Sequence, residues 1–195
     1  MKHLKLVPAL VLALATWCAT AYAQTSDTPD ISAKAAVCSA CHGAAGVPTI
    51  AAVPVLWGQN EGYIYLQLKD LKNNVRSSPA MNAIAAAMSR EDMFAYAKYF
   101  AAKPWPNLNQ PSAPAETARV ALVANGSIGC TGCHLSNYQG NSAIPRLAGQ
   151  KQAYLLESME AFRSRSRANN PGMSDLMNAA SPNDLKALAA YLAGL

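Results

Sequence analysis

Histidine and cysteine are nearly absent from this chain outside two short stretches, and their scarcity limits its chemistry. The 195 residues include five cysteines and three histidines. Cys18 and His3 lie near the start, and all the others fall in Cys38-Ser39-Ala40-Cys41-His42 and Cys130-Thr131-Gly132-Cys133-His134. Nothing is left for a disulfide, for a catalytic thiol, or for a histidine base standing apart from those stretches. Charge is sparse too, at 14% of residues, and the formal excess of +5 falls to +3 without Lys2 and Lys5. The basic residues are scattered, so no stripe suited to nucleic acid is present. Beyond residue 23 no apolar run approaches the roughly 18 residues needed to cross a bilayer, and a soluble mature chain is expected.

The one long apolar run, from Leu6 to Ala21, follows the basic start Lys2, His3 and Lys5, and Ala21-Tyr22-Ala23 fits the small-x-small cleavage rule. Residues 1–23 are read as a secretory signal cleaved after Ala23, which places the mature chain in the periplasm. An uncleaved membrane anchor is the competing reading.

Both cysteine stretches are Cys-x-x-Cys-His, the sequence that attaches a c-type haem. Two thiols three residues apart on one helical turn can each add to a haem vinyl group, and the adjacent histidine reaches the iron. Each copy implies one covalent haem, held by Cys38 and Cys41 in the first and by Cys130 and Cys133 in the second, with His42 and His134 as iron ligands. A redox dithiol or half of a zinc site are the rival readings of a Cys-x-x-Cys pair, but neither requires the histidine that follows both copies.

The two motifs are 92 residues apart, and much else obeys that spacing. Pro79-Ala80-Met81 falls on Pro171-Gly172-Met173, Ser89 on Ser181 and Tyr99 on Tyr191. Between them the register is 91: Pro54, Leu56, Gly58, Gln59, Tyr63 and Leu68 fall on Pro145, Leu147, Gly149, Gln150, Tyr154 and Met159. The chain is a tandem duplication. Residues 103–114 carry four prolines in twelve positions, too many for a helix interior, and mark a stiff, extended linker at 104–114 between domains at 24–103 and 115–195. Each domain is too short to bury a comfortable apolar core alone, and a haem supplies one.

The fold class is all-α, with three helices expected in each half. The first carries the motif, from about Ser32 to Cys41 and from about Ala115 to His134, interrupted at Asn125-Gly126. The middle helix starts near Asn60 and Lys151, with apolar residues at 64, 68, 71 and 75 and at 155, 159 and 162. The last follows Ser89 with Asp92, and Ser181 with Pro182 and Asp184, which read as N-terminal caps.

With no histidine to spare, the sixth iron ligand is sought among the methionines. Met93 and Met159 sit on helix faces in register with Leu185 and Leu68, as core residues do. Met88 and Met177 are not repeated. Met81 and Met173 are, each in a Pro-x-Met loop 39 residues after its histidine, and are the expected distal ligands, with Met88 and Met177 as the remaining candidates. A ligand histidine donates its other ring N–H to an acceptor that fixes its orientation; the Pro54 and Pro145 carbonyls are candidates, unless those prolines only stiffen turns. Tyr63 and Tyr154 either hydrogen-bond a haem propionate or pack on the ring edge. Arg163, Arg165 and Arg167 form a basic run read as a solvated face, against propionate or partner contact.

The paired motifs, each followed by Pro-x-Leu-x-Gly-Gln-x-x-x-Tyr (Pro54 to Tyr63, Pro145 to Tyr154) and by a methionine eight residues ahead of a capping serine, resemble the cytochrome c4 family of dihaem class I cytochromes over essentially the whole mature chain. The resemblance implies two cytochrome c-like domains, each wrapped around one covalent haem c, with His/Met ligation of both irons. It also implies electron transfer in a periplasmic respiratory chain, between an upstream reductase or quinol-oxidising complex and a terminal oxidase. An electron carrier rather than an enzyme is expected. The alternatives are a haem-carrying subunit of a dehydrogenase or oxidase complex, or a dihaem peroxidase or thiosulfate-oxidising enzyme. Trp57 stands where the family has a small residue.

Overall fold

The computed structural model describes residues 30–195, so the expected signal sequence and its cleavage site lie outside the described residues. Ten α-helices and one short 3-10 helix (Ala36–Cys38), which divides the expected first motif helix, appear among them, and no strand beyond an isolated bridge between Asn141 and Ile144. The first half holds α1 (Ile31–Ala35), α2 (Ser39–His42), α3 (Glu61–Lys72), α4 (Pro79–Ala86) and α5 (Arg90–Ala101). The second repeats them as α6 (Ala115–Ile128), α7 (Thr131–His134), α8 (Gln152–Arg163), α9 (Pro171–Ala179) and α10 (Pro182–Ala193). None is long and apolar enough to cross a membrane.

Local chemistry explains most of the boundaries. Ser89 and Ser181 each close a capping box with Asp92 and Asp184, tying the first turns of α5 and α10. The middle helices bury Ile64, Leu68 and Leu71, and Leu155, Met159 and Phe162, one face each. Val75, expected to extend that face, lies beyond the end of α3 and is 55% exposed. Met93, Ala97 and Phe100 complete the first core and Leu185, Leu188, Ala189 and Leu192 the second.

Two expectations are corrected. The second motif helix runs straight through Asn125-Gly126 and breaks instead at Gly129, which adopts the left-handed conformation at φ 80°. Gly126 weakens a helix by only about 1 kcal/mol, and the packing of Ala121 and Ala124 in the core carries the helix past it. The Pro-x-Met segments are not loops: proline at the first helical position starts a short helix in each half, α4 and α9, and the methionine is its third residue.

The halves meet through a reciprocal pair of glutamines. Gln59 Nε2 donates to the Arg146 carbonyl at 3.0 Å, and its Oε1 accepts from the Arg146 N–H at 2.7 Å. Gln150, its repeat counterpart, does the same to Val55, at 3.1 and 2.8 Å. Val55 and Arg146 are themselves counterparts, so the contact has twofold symmetry. The linker is docked rather than free. Gln110 donates to the Gln150 and Ala193 carbonyls and accepts from the Gln152 N–H, and the Arg146 guanidinium lies 4.5 Å from the centre of the Trp105 ring.

Candidate haem sites

Each motif occupies the last turn before a sharp reversal of the chain. Gly43 follows His42 at φ 86°, and a Cβ there would sit 2.2 Å from the Val47 carbonyl oxygen. Only glycine fits that turn. His42 and His134 are buried, and their Nδ1 atoms lie 2.8 Å from the Pro54 carbonyl and 2.9 Å from the Pro145 carbonyl. With Nδ1 donating to these oxygens, Nε2 is the atom left to bind a metal. Burial lowers both histidines below the ordinary imidazole value, against the opposing pull of the hydrogen-bonded carbonyls, which favours the neutral, ligating form.

Cys38 and Met81 pack against the first core, and Cys130 and Met173 against the second. Cys41 and Cys133 are exposed, and no disulfide joins cysteines among the described residues. Burial raises the thiols of Cys38 and Cys130. Among the other methionines, Met93, Met159 and Met177 are buried in the cores, as fillers are, and Met88 is partly buried beside the first. Among the described residues no group of three or more His, Cys, Asp or Glu side chains is arranged to hold a metal ion. A zinc site would need such ligands, whereas the cysteine pair, oriented imidazole and core-packed thioether that each half carries suit a haem.

Sequence reasoning missed the arginines. Arg167, read as part of a solvated face, is only 8% exposed; Arg163 and Arg165 are exposed, as expected. Arg167 has a counterpart in Arg76, and the two cross the interface. Arg76 Nη2 donates to the Tyr154 hydroxyl at 3.3 Å, and Arg167 Nη2 to the Tyr63 hydroxyl at 3.2 Å. Both guanidiniums also donate to Gln67 Oε1, at 2.9 and 3.0 Å. Burial raises the Tyr154 hydroxyl, but the charges of Arg76 and Arg167 together with hydrogen bonds from Tyr63 and Arg76 outweigh it and bring the group down to about 7. Tyr63 is pushed up, first by burial and then by Tyr154. Neither guanidinium has a carboxylate within ion-pair distance among the described residues. The guanidiniums are satisfied instead by phenol and amide oxygens. The register of 91 that pairs Arg76 with Arg167 was the signal available in the sequence.

Comparison with known proteins finds c-type cytochromes. The family model for cytochrome c matches residues 120–195. Cytochrome c4 of Pseudomonas aeruginosa is 33% identical over 172 residues, covering 84% of this chain and 86% of the relative. A protein of Stutzerimonas stutzeri named as a thiosulfate dehydrogenase electron acceptor is 35% identical, covering 83% and 80%. Among solved structures, reduced recombinant cytochrome c4 from Pseudomonas stutzeri superposes with a TM-score of 0.76 at 30% identity, covering 85% of this chain and 96% of that one. A thiosulfate dehydrogenase from Marichromatium purpuratum gives a TM-score of 0.69 at 27% identity, covering 80% of this chain but 36% of that one.

Proposed function

The chain belongs to the cytochrome c4 family, and from that premise we propose that it shuttles electrons in the periplasm, from an upstream reductase or quinol-oxidising complex to a terminal oxidase. It is a c-type cytochrome of two cytochrome c folds carrying two covalent haem c groups. When bound, each haem supplies a one-electron ferric/ferrous couple. The residues of the chain decide that it supplies nothing else. Cys38, Cys41, Cys130 and Cys133 hold the groups covalently, and His42 and His134, oriented by Pro54 and Pro145, take one axial position each. Met81 and Met173 would supply the second protein ligand to each iron, and a thioether in that role raises the potential, which suits delivery to an oxidase. With a histidine and a methionine holding each iron, no open position would be left for a substrate.

The observation that carries this reading is the duplication of the donor set: in each half one cysteine and one methionine pack on the core, a second cysteine stands exposed beside them in the motif, and one buried histidine is oriented by a proline carbonyl. The division into a leader cleaved after Ala23, domains at 24–103 and 115–195 and a linker at 104–114 belongs to the same proposal.

The electron-acceptor relatives of thiosulfate dehydrogenase favour a second reading, in which the upstream donor is a dehydrogenase and this chain its haem-carrying partner. Stopped-flow mixing separates the two. Rapid, saturable oxidation of the reduced protein by a terminal oxidase supports the first reading. Reduction by thiosulfate only when a thiosulfate dehydrogenase is present supports the second. Reduction by thiosulfate alone would make the chain an enzyme and contradict both.

A further inference from the structure

The residue after each proposed axial methionine ties the methionine helix to the chain that carries the crossing arginine. In the first half Asn82 Nδ2 donates to the Arg76 carbonyl at 2.8 Å and to the Leu71 carbonyl at 2.6 Å. In the second, the fully buried Ser174 Oγ contacts the Arg167 carbonyl at 3.4 Å. The arginines occupy equivalent turns: Arg76 N–H bonds the Asp70 carbonyl and Arg167 N–H the Ala161 carbonyl. Two residues earlier, Asn74 and Arg165 both take the left-handed conformation, at φ 57° and 59°. A bulky residue such as Arg165 avoids that region unless its surroundings impose it. Duplicated halves that share so little sequence have therefore kept one path from methionine to arginine, and both arginines end on a tyrosine of the opposite half.

We propose that Arg76 and Arg167 are crossed positioning residues. Each steadies the axial methionine of its own half, and each is held by the other half's tyrosine, so either haem's potential depends on the docking of the opposite domain. The proposal rests on Met81 and Met173 being the distal ligands. It differs from a local role for the tyrosines: if Tyr63 and Tyr154 acted only on the haem of their own half, removing a hydroxyl would disturb that half alone.

The test uses the full two-haem protein. In the reduced state each axial methionine gives a strongly shifted methyl resonance, and Met81→Ala and Met173→Ala assign the two signals. Tyr154→Phe is then expected to move the Met81 methyl and to change the oxidised-to-reduced ratio of the first haem at least threefold at fixed ambient potential. That change is about 30 mV, at 59 mV per tenfold for a one-electron centre. The Met173 signal should move much less. Tyr63→Phe gives the mirror result, and Asn82→Ser moves the Met81 signal alone. Shifts confined to the tyrosine's own half, equal in both halves, or absent overturn the crossed arrangement. Retention of both methyl resonances in the alanine variants overturns the ligand assignment beneath it.

Discussion

Replacing Gln150 with alanine should loosen the two halves more than any other single truncation at their contact. Gln150 is 2% exposed and bonds both the N–H and the carbonyl of Val55, itself 1% exposed. Truncation leaves a buried donor and a buried acceptor without partners, at about 1–3 kcal/mol each. Relaxation recovers some of this, and the expected loss is roughly 2–5 kcal/mol. Gln59 makes the equivalent bonds to Arg146, which is only half-buried, so water can replace them; Gln59→Ala should lose about 1 kcal/mol. For a chain of this size each kcal/mol moves Tm by about 2–4 °C. Thermal unfolding followed by far-ultraviolet circular dichroism should show Gln150→Ala falling by roughly 5–15 °C and Gln59→Ala by a few degrees. Equal shifts, or the reverse order, would refute the reasoning that burial rather than bond number sets the loss.

Each of Met81→Ala and Met173→Ala should remove about half of the far-red sulfur-to-iron absorption of the ferric protein, while Met88→Leu and Met177→Leu keep all of it. Full retention in Met81→Ala or Met173→Ala would show that the wrong methionine was chosen. Ser89→Ala and Ser181→Ala should each lose about 0.5–2 kcal/mol of stability by opening a capping box, read by denaturant unfolding. Hydrogen bonds from Ser89 and Ser181 hold Asp92 and Asp184 below the usual carboxylate value of 3.8. Folding thus favours the ionised form, and this contribution is present above pH 3.8 and lost as pH falls through the lower folded value; an acid titration should show it reduced in the serine variants, where only the backbone N–H of residues 89 and 181 still donates to the carboxylate. Gly43→Ala forces a Cβ into the Val47 carbonyl at a positive φ, and should leave the first half without correctly ligated haem, seen as one titrating centre in place of two.

The haem motifs, the duplication and the helix caps were legible because each is local chemistry at fixed spacing. Cys-x-x-Cys-His names its cofactor, Ser89 and Asp92 name a helix start, and a register of 91 or 92 survives drift at single positions. The features that escaped depend on what the halves do to one another. Gln59 and Gln150 stood out as repeated residues, but their reciprocal grip on Arg146 and Val55 exists only in the docked pair. Arg167 was hidden among Arg163 and Arg165, which solvent does reach, although its alignment with Arg76 set it apart. The helical Pro-x-Met segments were readable in hindsight, from proline at the first helical position and the alanines at 83 and 85–87 that follow Met81. The break at Gly129 rather than Asn125-Gly126 was decided by packing of α6 on α10, which outweighs a weak propensity.

An electron carrier of this kind needs both irons closed by side chains of its own chain. Exposing the untreated two-haem protein to carbon monoxide when reduced and to cyanide when oxidised, while following the Soret band, tests that most directly. No change at either haem is expected; ready uptake at one of them would show an open iron and contradict the carrier assignment.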